Sequence, residues 1–211
     1  MARWATDGSV LSKHPDQGTE IAALRIALFG GTFDPIHNAH LEIAREAARR
    51  FALDRVLFIP AARPPHKSGA TRTPYEHRYR MVELACASEP LFEASRLEQG
   101  EQNSYSIETI ERVRATLAQG EDLYFLIGAD AFAEIRTWHR WREVIASVTF
   151  IVVDRPGAAY EVPEGAHVER LEGVDLGVSS SEIRRRIAAG DDRVEVPVAV
   201  LAYIREHGLY G

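Results

Sequence analysis

Residues 24–40 read LRIALFGGTFDPIHNAH. The mostly apolar run at 24–29 is typical of a strand that is buried on both faces of a parallel sheet. Gly30 and Gly31 end this run, and apolar residues at helical spacing follow from about residue 39 to residue 51. The stretch therefore predicts a strand, a glycine turn and a helix, which together form the first half of a βαβ unit.

Similar alternations follow along the chain. We expect further strands at 55–59, 91–94, 123–127 and 149–153, and helices at 75–87, 105–118, 180–189 and 196–207. Strands and helices that alternate at this spacing indicate an α/β fold with a Rossmann-like, doubly wound parallel sheet. Because two helices finish the chain, we expect a single domain with a small C-terminal helical part.

Composition limits the class of protein. The chain has 211 residues, of which 45% are apolar and 27% charged, as in ordinary globular domains. Residues 1–23 are polar and unpatterned, so we expect a flexible N-terminal extension before a domain at 24–211. The sequence has no run of 18 apolar residues and no apolar signal core, so we expect neither a membrane span nor a secretion signal. The single cysteine, Cys86, fits a cytoplasmic location, and the net charge of −6 argues against nucleic acid as a partner.

The turn at 30–40 has the features of a phosphate-binding loop. Ligands of open parallel sheets bind at the carboxyl ends of the strands, and glycines there let a phosphate approach the backbone. We expect Asn38 to cap the following helix, which places His40 in its first turn, where anions are favoured. His37 and His40 can then face one bound phosphate. The alternative is an ordinary turn with one exposed and one buried histidine.

Three other segments are expected on the same rim or near it. The loop at 60–74 is long, and it carries Lys67, one of only two lysines in the chain and a suitable point charge for a phosphate. Asp130 follows a strand and can accept hydrogen bonds from ribose hydroxyls, whereas Trp138 can stack on a ring. Residues 178–186 begin a helix with Ser179 and Glu182 at capping-box spacing, and three arginines follow.

Several of these segments resemble one family. The string at 30–40 resembles the Gly-Gly-x-Phe-Asp-Pro-x-His-x-Gly-His motif of the nucleotidylyltransferase superfamily, with Ala39 in place of the usual glycine. Residues 64–67 resemble the Pro-Pro-His-Lys/Arg loop of bacterial nicotinate mononucleotide adenylyltransferases. Residues 104–106, 128–139 and 178–184 resemble further segments of that family, with His139 where tyrosine is frequent. A weaker match at 153–157 has Arg155 before Pro-Gly, where the family often has a basic residue, although an ordinary turn explains this segment equally well.

The resemblance implies three groups of site residues. The expected catalytic residues are His37, His40, Lys67 and Arg184. The expected ATP-binding residues are Gly30, Gly31, Thr32, Phe33, Asp130, Ser180 and Ser181. The expected nicotinate mononucleotide-binding residues are Ser106, Trp138, His139 and Arg155, and no residue is expected to ligate a metal.

The reaction that the resemblance implies joins ATP to nicotinate mononucleotide, which gives nicotinate adenine dinucleotide and pyrophosphate. Mg²⁺ is expected to arrive on the ATP phosphates. The expected partners are these two substrates, without nucleic acid or membrane, and the chain can be a monomer or a homo-oligomer.

Other functions stay open at this point. A sister adenylyltransferase acting on nicotinamide mononucleotide or pantetheine phosphate shares the first motif, and a nucleotide-binding regulator that has lost catalysis would also keep it. A Rossmann oxidoreductase needs G-x-G-x-x-G after the first strand, and residues 30–35 do not provide that spacing.

Overall fold

The computed structural model describes residues 23–62, 73–100, 105–118, 120–155, 157–174 and 177–211. The expected N-terminal extension, except for residue 23, and the expected catalytic Lys67 lie outside these ranges.

Six strands of the described chain form one parallel sheet. They are β1 (Arg25–Gly31), β2 (Arg55–Pro60), β3 (Phe92–Ala94), β4 (Asp122–Gly128), β5 (Thr149–Val153) and β6 (His167–Leu171). Their order across the sheet is β3-β2-β1-β4-β5-β6, and every neighbouring pair is parallel. The chain moves outward in one direction from β1 to β3 and in the other from β4 to β6. The predicted doubly wound parallel sheet is confirmed, and the crevice between β1 and β4 is the place where such sheets bind ligands.

Helices cover both faces of the sheet. They are α1 (Asn38–Arg50), α2 (Tyr75–Cys86), α3 (Ser106–Arg114), α4 (Ala129–Ala133), α5 (Trp141–Ser147), α6 (Ser180–Ala188) and α7 (Val198–Glu206), with a short 3₁₀ helix at Ile135–Thr137. None of the helices in the described ranges has both the length and the apolar character needed to cross a bilayer.

The core has one layer on each face of the sheet because side chains alternate along each strand. In β1, Ala27 and Phe29 pack into the layer that contains α1, α2, α6 and α7. Ile26 and Leu28 pack into the opposite layer, which contains α3 and α5. Burial on both faces explains why β1 reads as a continuous apolar run.

The sequence-based prediction missed four elements. Strand β6 reads HVERL, and only its last residue, Leu171, is buried. It lies at the edge of the sheet, so it lacks the apolar run that marks a strand buried on both faces. The helices α4 and α5 and the 3₁₀ helix between them have seven residues or fewer, which is too short for a clear helical period.

Candidate active site

A large cleft on the carboxyl rim of the sheet lies beside the ends of β1, β4 and β5. It has a volume of about 530 Å³. The residues from the predicted site that line it are Thr32, His37, His40, Asp130, Arg155, Ser180, Ser181 and Arg184. Four segments that are far apart in the sequence therefore meet at one cleft, as the topology predicts.

The first loop, residues 30–37 from the end of β1 to the start of α1, is a tight turn built around Phe33. Its ring is 2% exposed, and its φ of 49° lies in the left-handed region. The ring packs edge-on to His40, with centroids 5.0 Å apart. A Cβ atom at Gly31 would lie only 2.9 Å from this ring. A larger residue at Gly31 would therefore have to displace the buried Phe33 ring, which packs against the loop.

His37, and not Asn38, caps helix α1. Asn38 is the first helical residue, and its N–H donates to the carbonyl of Glu195 at 2.9 Å. The expectation that Asn38 is the cap is wrong. Its N–H is satisfied by the distant Glu195 carbonyl, a partner that local sequence does not reveal, and the helix begins one residue earlier than expected. His40 still lies in the first turn.

The two histidines lie against each other. Their rings are stacked with centroids 3.7 Å apart, and the backbone N–H of His37 donates to Nδ1 of His40 at 3.3 Å. His37 is 5% exposed, and burial lowers its pKa to about 4, although the charge of Glu195 opposes this shift. His37 is therefore neutral near pH 7. Its Nδ1 atom has no hydrogen-bond partner among the described residues.

Helix α6 is attached to the first loop by its N-terminal residues. The Ser179 side chain accepts from the N–H of Glu182 at 3.2 Å, which confirms the predicted capping position. The Ser180 hydroxyl donates to the carbonyl of Pro35 at 2.9 Å. The predicted ATP-binding Ser180 therefore already joins two segments of the cleft.

Of the three adjacent arginines, Arg184 lies in the cleft. It donates to the carbonyl of Asp34 at 2.6 Å and to the Ser181 hydroxyl at 3.2 Å. Arg185 instead pairs with Glu182 on the exposed side of the helix. Arg186 forms ion pairs with two acidic residues, Asp191 and Glu195. Of the three, only Arg184 is therefore a candidate phosphate ligand, because Arg185 and Arg186 pair with acidic side chains.

Asp130 and Arg155 form an ion pair at the mouth of the cleft. Their side chains are 3.1 Å apart, and each is 67% exposed. Asp130 lies in α4 just beyond β4, and Arg155 lies just beyond β5. Arg155 therefore borders the large cleft, and the structure does not bring it to the other expected nicotinate mononucleotide ligands.

A second, smaller pocket lies on the other side of the β1 end. It has a volume of about 180 Å³, and Ser106, Trp138 and His139 line it together with Gly30 and Gly31. The Trp138 ring packs edge-on to Phe125 at 5.8 Å, and the His139 ring lies 4.5 Å from that of Tyr105. The aromatic lining suits a flat ring. The first loop thus separates the two pockets, with its glycines facing one and Thr32 facing the other.

Arg78 is a further residue beside the site that no sequence motif marks, and it is 1% exposed. Its guanidinium donates to the carbonyls of Thr32 at 2.7 Å, Thr73 at 3.1 Å and Ala62 at 3.5 Å. Burial lowers its pKa, although the charge of Asp34 opposes the shift. One arginine therefore ties the first loop to both ends of the segment that contains Lys67. In sequence it looks like any helix-surface arginine, so no local signal identifies it.

Comparison with known proteins places the chain. Residues 28–186 match the family model described as cytidylyltransferase-like. A relative from Solibacter usitatus, named "Probable nicotinate-nucleotide adenylyltransferase", is 62% identical over 187 residues, which are 89% of this chain and 100% of the relative. A relative of the same name from Thermus thermophilus is 45% identical over 190 residues, covering 89% and 100% of the two chains.

A solved structure shows the same fold. Nicotinic acid mononucleotide adenylyltransferase from Plasmodium falciparum, complexed with NaAD, superposes with a TM-score of 0.72 at 17% identity. The match covers 89% of this chain and 97% of the other.

Proposed function

Since the chain belongs to the cytidylyltransferase-like family, and within it to the nicotinate-nucleotide adenylyltransferases, we propose that it transfers the adenylyl group of ATP to nicotinate mononucleotide. The products are nicotinate adenine dinucleotide and pyrophosphate, in the synthesis of NAD. The observation that carries the proposal is the stacked pair His37 and His40 with Arg184 on a cleft that shares a loop with an aromatic pocket.

The two pockets divide the substrates between them. ATP takes the cleft of about 530 Å³, because the cationic and hydroxyl side chains that line this cleft suit a triphosphate. Of the residues proposed to bind ATP, Thr32, Asp130, Ser180 and Ser181 line this cleft. Gly30, Gly31 and Phe33 belong to the loop between the two pockets and are proposed to contact ATP there, Phe33 through its backbone rather than its buried ring. The pyridine ring takes the pocket of about 180 Å³, with Ser106, Trp138 and His139 around it. Arg155 lies at the mouth of the cleft, and we propose that it binds the mononucleotide after its hydrogen bond to Asp130 breaks.

The reaction is an in-line displacement at the α-phosphorus of ATP. An oxygen of the mononucleotide 5′-phosphate forms a bond to this phosphorus, and the bond from the phosphorus to the α–β bridging oxygen breaks. The leaving pyrophosphate carries that electron pair. His37, His40, Lys67 and Arg184 are the proposed donors to the charge that develops on the phosphate oxygens. Because the pKa of His37 is lowered to about 4, it donates as a neutral imidazole and supplies a hydrogen bond instead of a charge.

We propose that Mg²⁺ accompanies ATP. Among the described residues, no group of three or more histidine, cysteine, aspartate or glutamate side chains is placed to hold a metal ion. We therefore propose that the triphosphate and water hold the ion, and that the charge of the ion neutralises the phosphates. A cytoplasmic location is proposed as well, since Cys86 is a free buried thiol and ATP is the co-substrate.

Pyrophosphate release from ATP and Mg²⁺ tests the proposed substrate. Nicotinate mononucleotide, nicotinamide mononucleotide and phosphopantetheine are compared as acceptors at equal concentration. We expect the highest kcat/KM with nicotinate mononucleotide. The aromatic pocket beside the first loop fits a pyridine ring, which phosphopantetheine lacks, and a carboxylate offers two acceptor oxygens to donors such as the Ser106 hydroxyl where the amide offers one. An equal or higher kcat/KM with the amide would refute the acid preference, and turnover only with phosphopantetheine would assign the chain to a sister activity.

A further inference from the structure

The end of the chain returns to the first loop of the active site. After α7 the backbone reverses, with left-handed φ values of 58° at Gly208 and 69° at Tyr210 and a hydrogen bond from Leu209 N–H to the Ile204 carbonyl at 2.9 Å. This turn brings the Tyr210 hydroxyl to Asp34, where it donates to Oδ1 at 2.7 Å. The contact joins residues that are 176 positions apart in sequence.

Asp34 connects this tyrosine to the cleft. Its side chain is 2% exposed, and its backbone carbonyl accepts the hydrogen bond from Arg184. Arg184 lines the cleft, whereas Tyr210 does not. Tyr210, Asp34 and Arg184 therefore form a continuous series of contacts that runs from the chain terminus to the proposed phosphate ligand.

The Tyr210 hydroxyl is well suited to hold Asp34. A buried carboxylate requires hydrogen-bond donors, since its desolvation is costly without them. Among the described residues the second carboxylate oxygen, Oδ2, has no partner, and the nearby guanidinium of Arg78 is directed to backbone carbonyls instead. Burial raises the pKa of Tyr210, so the hydroxyl keeps its proton throughout the neutral range.

Thr73 lies at the same point. Its side chain is near enough to the Tyr210 hydroxyl to act against the rise that burial causes in the pKa of Tyr210, and its carbonyl accepts from Arg78 at 3.1 Å. Thr73 is the first described residue after the segment that carries Lys67. Tyr210 therefore contacts the first loop and lies near the end of this second segment.

We propose that Tyr210 is a positioning residue that acts through Asp34 to fix the Arg184 guanidinium in the orientation needed for adenylyl transfer. The inference rests on the proposed function, because its readout is turnover of ATP with nicotinate mononucleotide. Tyr210 lines neither of the two pockets, so it acts on the geometry of a group that does.

The variant Tyr210→Phe removes only the hydroxyl, and Tyr203→Phe is its matched control. Tyr203 lies on α7, and its hydroxyl hydrogen-bonds to His77 at 2.9 Å, outside both pockets. For Tyr210→Phe we expect kcat to fall about 10-fold, as for a barrier raised by one misplaced donor, with a much smaller change in KM for both substrates. For Tyr203→Phe we expect kcat to stay unchanged. Both are assayed below the lower of their two melting temperatures, so that loss of folding does not enter the rates.

A double-mutant cycle shows whether Tyr210 acts through Arg184. In the Arg184→Ala background we expect Tyr210→Phe to cause little further loss of kcat, because the group that it positions is already absent. Additive losses would overturn the inference, as would an unchanged kcat in Tyr210→Phe with a lowered melting temperature. If the wild-type protein shows no turnover, the proposed function is wrong. If the wild type is active but the losses of kcat are additive, only the role of Tyr210 is wrong.

Discussion

At the scale of single residues, the close approach of Gly31 to the Phe33 ring limits the size of the side chain that position 31 can hold. A Cβ at Gly31 would lie 2.9 Å from the buried Phe33 ring, whereas a Cβ at Gly30 would have its nearest neighbour at 3.8 Å. We expect Gly31→Ala to lower the free energy of unfolding by about 1–3 kcal/mol, as for overpacked cores. Gly30→Ala is the matched control and should lower it much less. Urea unfolding measures both, and equal losses would show that the ring adjusts freely.

The two histidines of the first loop should affect the rate. His37→Ala and His40→Ala should each lower kcat on the order of 10²-fold or more, because each removes a donor to the transition state. His207→Ala, at an exposed position beyond α7, is the control and should leave kcat unchanged. A folded His37 or His40 variant, verified by circular dichroism, with near-normal kcat would remove that histidine from the mechanism.

Burial of His37 should also make stability depend on pH. Its folded pKa of about 4 lies below the ordinary value of 6.5, so the unfolded chain binds this proton more readily. The contribution of His37 to the free energy of unfolding is complete above about pH 6.5 and declines as the pH falls toward about 4, by up to ~3 kcal/mol. Urea unfolding at pH 7 and pH 4.5 should therefore show a smaller difference for His37→Gln than for the wild type or His207→Gln. An identical difference in all three proteins would contradict the burial effect.

At the scale of elements, the strands with a continuous apolar run were predictable, as was the short edge strand β3, whereas β6 and the shortest helices were not. β1, β2, β4 and β5 are buried on both faces, so their sequences alone identify them. The edge strand β6 was missed because only one of its residues is buried. The burial that defines such an element depends on neighbours that local sequence does not reveal.

Arg78 holds two elements together, and its loss should be costly. Arg78→Met keeps the length of the side chain but leaves the carbonyls of Thr32 and Thr73 without this donor. Since a buried unsatisfied group costs about 1–3 kcal/mol, we expect a loss of roughly 3 kcal/mol or more in the free energy of unfolding. Arg80→Met is the control, because Arg80 forms an exposed ion pair with Glu83 that contributes little. Chemical denaturation compares the two, and similar losses would show that Arg78 is not the anchor of the loops.

At the scale of the whole molecule, the sheet topology brings together the segments that the sequence identifies separately. The motif residues on β1, β4, β5 and α6 were predictable because each follows a strand or starts a helix. Their supporting contacts, from Arg78 and Tyr210, were not predictable because they join segments 46 and 176 positions apart. The position of Arg155 was not predictable either. Its motif predicts a ligand of the mononucleotide, whereas in the fold its side chain pairs with Asp130.

A crystal structure with bound nicotinate adenine dinucleotide tests the division of the site into two pockets most directly. We expect the adenylyl half in the cleft of about 530 Å³, with its phosphates beside His37, His40 and Arg184. We expect the pyridine ring in the pocket of about 180 Å³, between Trp138 and Ser106. A dinucleotide that lies wholly in the large cleft, or with its phosphates away from the two histidines, would contradict the assignment.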